Sequence, residues 1–324
     1  MSACGSDDEG DSEGGNGGGG ESSASVTFIP KNLGNPYFDT SNAGGEEAIE
    51  EFGGSYEEVG PAEASPDGQV QYINTATQQG RNALVISAND PDALCDAIEE
   101  ARGADIKVVT YDADTNPDCR DMFISQADAE GIAQAQVDLI TEQIGDEGEI
   151  AFLSAAANAT NQNEWIALME DELEANHPNV TVVDTVYGDD DDQTSFDRTA
   201  ALLQSHPDLK GIVSPTTVGI AAAARYLSTS DAKGKVMLTG LGTPNQMREY
   251  VKDGTVEAFA LWNPADLGYL AAYTAKALVD GEIEGEGDSF EAGKLGDYTV
   301  GADNTVLLGD PFVFNADNID EFDF

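Results

Sequence analysis

The residue types with the most chemistry to offer stand just behind short apolar runs. Lys31 and Asn32 follow the run 26–30, with Tyr37 and Phe38 a few positions on. Asn89 follows 83–87, and Asp112 follows 107–111. Asn161, Gln162 and Trp165 come after 149–154; Pro215, Thr216 and Thr217 come after 211–214; Asn263 follows 258–262. If the runs are parallel strands, these positions converge, because ligands bind beyond the carboxyl ends of such strands. The mixture suits a neutral polyhydroxyl ligand. An ionised Asp accepts from hydroxyls, an amide both donates and accepts, Lys donates, and aromatic rings cover apolar C–H faces. Asn, Asp and Thr also serve turns and helix caps. It is their joint placement at strand ends that singles them out.

The elements that must position them are legible as alternating patterns. Further apolar runs lie at 122–125, 181–186 and 236–240. Helical periodicity covers 43–52, 66–79, 91–102, 129–144, 162–176, 195–205, 218–227, 246–252 and 264–279. Branched-aliphatic runs alternating with such helices predict parallel βαβ units with sheets covered on both faces. About ten strands exceed one doubly wound domain of usual size, so two lobes are expected. The break falls near 126–128, and the helix at 264–279 would pack back on the first lobe. This gives one lobe from 26–126 with 264–296, and another from 127–263 with 297–324.

Charge narrows the function classes. The 324 residues carry 62 Asp and Glu against 14 Lys and Arg, a formal charge of −48. A surface this negative repels nucleic-acid phosphates and anionic lipid headgroups. The carboxylates are spread along the whole chain, which fits solvation in brine: the surface of a halophile's protein. No apolar run reaches the roughly 18 residues of a membrane span.

Residues 1–25 differ from the rest. The stretch 5–25 is Gly-rich and acidic with no aromatic, branched-aliphatic or basic residue, and is expected to be a disordered tether. Ahead of it, Ser2-Ala3-Cys4-Gly5 resembles the end of a bacterial-type lipoprotein signal. Cys4 is then a lipidation site that holds the globular part outside the cytoplasmic membrane. Cys95 and Cys119 are either a disulfide, which fits an extracellular protein, or two lone thiols. No CxxC and no nearby His supports zinc.

Other motifs fail. Asp112–Asp118 imitates the opening of a calcium loop, but Pro117 and Phe123 stand where Gly and Glu belong. The acidic run 188–192 reads as a solvated loop. There is no Gly-x-Ser-x-Gly, no Walker A sequence and no complete dinucleotide fingerprint. No catalytic residue, metal or cofactor is expected. An enzyme would need an acid/base pair or a metal cluster in the cleft, and no second-lobe carboxylate faces Asp112 and Asp114 by this reading.

Several motifs together resemble a known family. These are Lys31-Asn-Leu-Gly-Asn-Pro-Tyr-Phe-Asp-Thr, Thr160-Asn-Gln-Asn-Glu-Trp165, Ser214-Pro-Thr-Thr-Val-Gly-Ile-Ala-Ala-Ala223 and Leu261-Trp-Asn-Pro-Ala-Asp-Leu-Gly268. They look like the rhamnose-binding proteins of sugar ABC transporters. The autoinducer-2-binding proteins are also similar, through Tyr111-Asp-Ala-Asp-Thr, Thr243-Pro-Asn-Gln-Met-Arg248 and the ending from Phe314 to Phe324. The resemblance spans essentially 26–324. It implies a type I periplasmic-binding fold: two Rossmann-like lobes, a three-segment hinge and a ligand in the cleft. It also implies a monomer without enzymatic activity that hands a sugar to an ABC permease. Lys31, Tyr37, Phe38, Asp112, Asn161, Gln162, Pro215, Thr217 and Asn263 match the family's pocket positions. The autoinducer group has Asp, Ala and Asp where this chain has Asn161, Thr217 and Asn263, so the pattern is closer to rhamnose binding.

Overall fold

The computed structural model describes residues 24–324. Cys4 and nearly all of the expected tether lie outside the described residues.

The first half of the chain alternates β1 (Ser25–Ile29), α1 (Pro36–Glu51), β2 (Ser55–Glu58), α2 (Pro66–Gln79), β3 (Ala83–Ile86), α3 (Cys95–Gly103), β4 (Lys107–Tyr111) and β5 (Met122–Ser125). The second begins with α4 (Ala129–Ile144), β6 (Gly148–Ser154), α5 (Thr160–Asn176), β7 (Val180–Tyr187), α6 (Asp192–Ser205) and β8 (Leu209–Ser214). It continues with α7 (Thr217–Thr229), β9 (Met237–Gly240), α8 (Pro244–Lys252) and β10 (Ala258–Leu261). Then come α9 (Pro264–Asp280) and the short strands β11 (Ser289–Glu291), β12 (Asp297–Thr299), β13 (Thr305–Leu307) and β14 (Phe312–Asn315).

Two sheets result. The first has order β13-β5-β4-β3-β1-β2, every pair parallel. The second has parallel order β7-β6-β8-β9, continued by a bridge from Leu241 to Ala260 and by antiparallel β10-β14. Strands β1, β3, β4, β6 and β8 are apolar and largely buried, as sheets covered on both faces require. In each sheet the strand order reverses beside the first strand, which makes β1 and β6 the switch points.

The helices begin where their caps dictate. Asn35 Oδ1 accepts the Tyr37 N–H at 3.1 Å, and Pro36 opens α1. The helical pattern alone suggests a start at 43; the Asn-Pro cap moves it back by two turns and brings Tyr37 and Phe38 onto the first turn. Asp128, Asp191 and Asn263 cap α4, α6 and α9 in the same way. Strand β2 escapes the apolar pattern because Ser55–Glu58 is a short, polar, partly exposed edge.

Helix α9 returns to the first lobe and packs against α1, β3 and β4. The two helices touch backbone to backbone: a Cβ on Gly268 would lie 1.7 Å from the Ser41 carbonyl oxygen, and one on Gly44 would lie 1.9 Å from that of Ala265. The expected division of the tail needs correction. Residues 297–324 do not all join the second lobe, because β13 pairs with β5 and extends the first sheet. The chain crosses between sheets near 126–128, at 262–263 and at 308–311, and only β14 onward rejoins the second lobe. Cys95 and Cys119 are bonded to each other, with Cα atoms 5.3 Å apart.

Candidate functional site

Between the two sheets lies a cavity of about 380 Å³, its mouth included. Every element that lines it arrives by a strand's carboxyl end or a helix's first turn. Lys31 and Asp112 come from behind β1 and β4, Asn161, Gln162 and Trp165 from the start of α5, and Pro215, Thr216 and Thr217 from the start of α7. The amino ends of α1, α5 and α7 therefore face it, and their partial positive charge favours ligand oxygens.

Lys31 and Asp112 form its polar centre. The Lys31 Nζ lies 3.8 Å from Asp112 Oδ2, with the two side chains only 7% and 8% exposed. That separation exceeds a hydrogen bond. No described residue accepts a hydrogen bond from this ammonium, so a buried cation keeps all three donors unused. Asp112 is fixed from behind, since Ser87 Oγ donates to its Oδ2 at 2.8 Å. Its backbone is left-handed, φ 62°, a region that Asp enters more readily than most non-glycine residues.

The wall is aromatic. Tyr37 meets Phe38 and Trp262 edge-on, with centroids 5.1 and 6.2 Å apart, and Trp262 meets Trp165 at 6.0 Å. Trp262 Nε1 donates to the Tyr37 hydroxyl at 2.9 Å. Burial first, then the Asp112 charge, holds that hydroxyl well above its ordinary pKa, so it stays a proton donor. On the opposite side Gln162 Oε1 accepts from Ser154 Oγ and the Ala155 N–H at 2.8 and 2.7 Å. Its Nε2 and the Thr217 hydroxyl have no hydrogen-bond partner among the described residues, and both residues line the cavity. Asn161 Nδ2 reaches across to the Asp112 carbonyl at 3.3 Å. Outside the cavity, Asn158 Nδ2 donates to Asp90 Oδ2 at 3.1 Å. Both contacts join the start of α5 in the second lobe to loops of the first.

Three expected site residues fall outside the cavity. Asn263 uses its Oδ1 to cap α9, at 3.0 Å from the Ala265 N–H, and its Nδ2 on Asp266. Asn89 stands behind the cavity and donates from Nδ2 to the Lys31 carbonyl at 2.8 Å, bracing that loop. Asn32 faces a neighbouring hollow with Leu33, Glu63 and Asp189. Asp114 is paired with Arg120 at 2.8 Å and is structural.

The cavity also holds residues that sequence reasoning passed over: Asn35, Asp190, Leu241, Leu261 and Trp262. Leu241, Leu261 and Trp262 were legible as strand-end positions. Asp190 was hidden inside an acidic run that looked like solvated loop. It corrects the expectation that no second-lobe carboxylate faces Asp112, for it lines the same cavity and feels the charges of both Lys31 and Asp112.

A solved sugar ABC transporter protein from Actinomyces odontolyticus is 57% identical, with a TM-score of 0.76, over 93% of this chain and 98% of that one. A solute-binding protein from Clostridium phytofermentas, solved with bound L-rhamnose, is 39% identical with a TM-score of 0.89, over 92% and 98%. The Clostridium saccharobutylicum protein LsrB, solved with AI-2, is 28% identical with a TM-score of 0.87, over 92% and 99%. Among curated proteins, the Escherichia coli ribose import binding protein RbsB is 23% identical over 79% of this chain and 85% of its own. The doubly wound lobes and their hinge are those of type I periplasmic-binding proteins. The profile described as "Periplasmic binding protein domain" matches residues 26–283, and the chain belongs to that family.

Proposed function

We propose that this protein captures L-rhamnose or a closely related monosaccharide in the interlobe cleft and delivers it to the permease of an ABC importer. It is a binding component and not an enzyme. The observation that carries the reading is the buried Lys31 ammonium, which has a carboxylate at 3.8 Å and no hydrogen bond among the described residues. Such a group is costly to bury unless a ligand satisfies it. Around it stand an amide donor, a hydroxyl and aromatic faces, the complement of a sugar's hydroxyls and C–H faces. Lys31, Asp112 and Asp190 together carry a formal −1, which suits a neutral ligand better than an anionic one.

The choice of rhamnose rests on the 39% identical relative and on Asn161 and Thr217. An autoinducer-2-like signal molecule is the competing ligand, supported by the likeness to LsrB. We further read Cys4 as a lipid anchor on the outer face of the cytoplasmic membrane, with the protein acting as a monomer in a salt-rich medium. No helix among the described residues is long and apolar enough to cross a membrane.

Calorimetry in molar salt with L-rhamnose, D-ribose, D-arabinose and autoinducer-2 is the direct test. L-Rhamnose is expected to bind tightest. Silence from every sugar would reject sugar binding, and preference for autoinducer-2 would install the competing reading. Asp112→Ala is expected to abolish binding in a protein that still folds; unchanged affinity would remove Asp112 from the site.

A further inference from the structure

Asp190 stands on the turn between β7 and α6, and three features mark it. The first is its backbone. Asp189 and Asp190 are both left-handed, with φ 55° and 49°, a region that Asp enters more readily than most residues with side chains. The second is its support. Thr216 Oγ1 donates to Asp190 Oδ1 at 2.6 Å. Thr216 is the N-cap of α7, yet its hydroxyl caps nothing. A residue type favoured for closing a helix end is thus diverted to hold a carboxylate. The third is what remains free. Among the described residues Asp190 Oδ2 has no hydrogen-bond partner, and the side chain lines the cavity that holds Lys31 and Asp112.

Lys31 belongs to the first lobe and Asp190 to the second. One offers unused donors and the other an unused acceptor, on opposite walls of one cavity. A hydroxyl between them would accept from the ammonium and donate to the carboxylate, joining the lobes through the ligand. We propose that Asp190 is a ligand-binding residue of the second lobe, accepting a hydrogen bond from a sugar hydroxyl that also meets Lys31. Thr216 then acts through Asp190 and does not itself touch the ligand. The proposal rests on the sugar-binding reading above, and it adds a charged contact where only neutral second-lobe contacts were expected.

The test is calorimetry on wild type, Asp190→Ala and Asp190→Asn, with L-rhamnose or whichever sugar of the panel the wild type binds, alongside thermal unfolding without sugar. Loss of a hydrogen bond to a charged group predicts about 10- to 100-fold weaker binding for Asp190→Ala. Asp190→Asn, which keeps an acceptor oxygen but not the charge, is expected in between. Neither sugar-free protein should unfold at a lower temperature than wild type. Asp189→Asn, whose side chain lies outside the cavity, should bind within about twofold of wild type. Affinity of Asp190→Ala within about threefold of wild type would overturn the proposal. So would weakened binding accompanied by lowered thermal stability in both variants, since that marks a structural role. Failure of the wild type to bind any sugar would reject the sugar-binding reading, and this inference with it.

Discussion

Asp190 illustrates how a binding group is held at the expense of stability. Burial pushes its carboxyl above the usual 3.8, the Asp112 and Asp189 charges push the same way, and Lys31 and Thr216 pull back. A carboxyl whose folded-state pKa is raised favours folding only when protonated. Its contribution is present below 3.8 and is lost as pH rises through the higher folded-state value. Asp190→Asn cannot lose a proton. We therefore expect its sugar-free form to melt above wild type at pH 7, with the difference shrinking as pH falls toward the ordinary carboxylate range. Paired melting curves across that interval decide it; a constant or inverted difference would refute the assigned cause. The residue scale is also where sequence reading was least complete. Lys31, Asp112, Asn161 and Gln162 were legible because they stand directly behind apolar strands. Asn263 looked equivalent but spends its amide on a helix cap. Asp190 was illegible because its selection depends on the contact with Thr216, which leaves no mark in a run of identical residues.

The elements were easier to read than the contacts between them. Caps and apolar runs located nearly every strand and helix, while β2 and the pairing of β13 went unseen because polar edge strands carry little pattern. The contact between α1 and α9 is likewise invisible to periodicity, yet it ties the returning helix to the first lobe. Its requirement is small residues. With Gly268 1.7 Å from the Ser41 oxygen once a Cβ is added, Gly268→Ala must push the helices apart. The greater helix propensity of Ala offsets about 1 kcal/mol. Overpacking against backbone costs about 1–3 kcal/mol or more. The steric loss should win, giving a net destabilisation seen as a lower denaturant midpoint. A neutral or stabilising effect would mean the helices slide apart freely. The displacement also shifts Tyr37 and Phe38 on the first turn of α1, so sugar affinity should weaken along with stability. The Cys95–Cys119 bond closes a 24-residue separation within the first lobe, on the side away from this helix pair, and contributes about 3 kcal/mol in the chain-entropy model.

At the scale of the whole molecule, the surplus of carboxylates and the proposed neutral ligand make separable predictions about salt. Of the few cations, Arg81, Arg102, Arg120, Arg225, Lys233 and Lys294 are each paired with a carboxylate. With 62 acidic residues against 14 basic ones, most carboxylates have no such partner. Their repulsion acts over about 10 Å at 0.1 M salt and over about 3 Å at 1 M. Surface ion pairs are worth about 0–1 kcal/mol each, so screening them removes less than screening the repulsion restores. Raising potassium chloride from 0.1 to 2 M is therefore expected to raise the melting temperature by about 10 °C or more, equivalent to about 3 kcal/mol or more. Affinity should behave differently. A neutral sugar carries no net charge to be steered or screened, and the Lys31–Asp112 pair is shielded from bulk ions by burial. Once the folded fraction is accounted for, Kd should change by less than about threefold over the same range. Melting and titration on one preparation would check both halves. A flat or falling melting temperature would refute brine adaptation. A Kd that climbs steeply with salt would instead assign the cleft to a charged ligand.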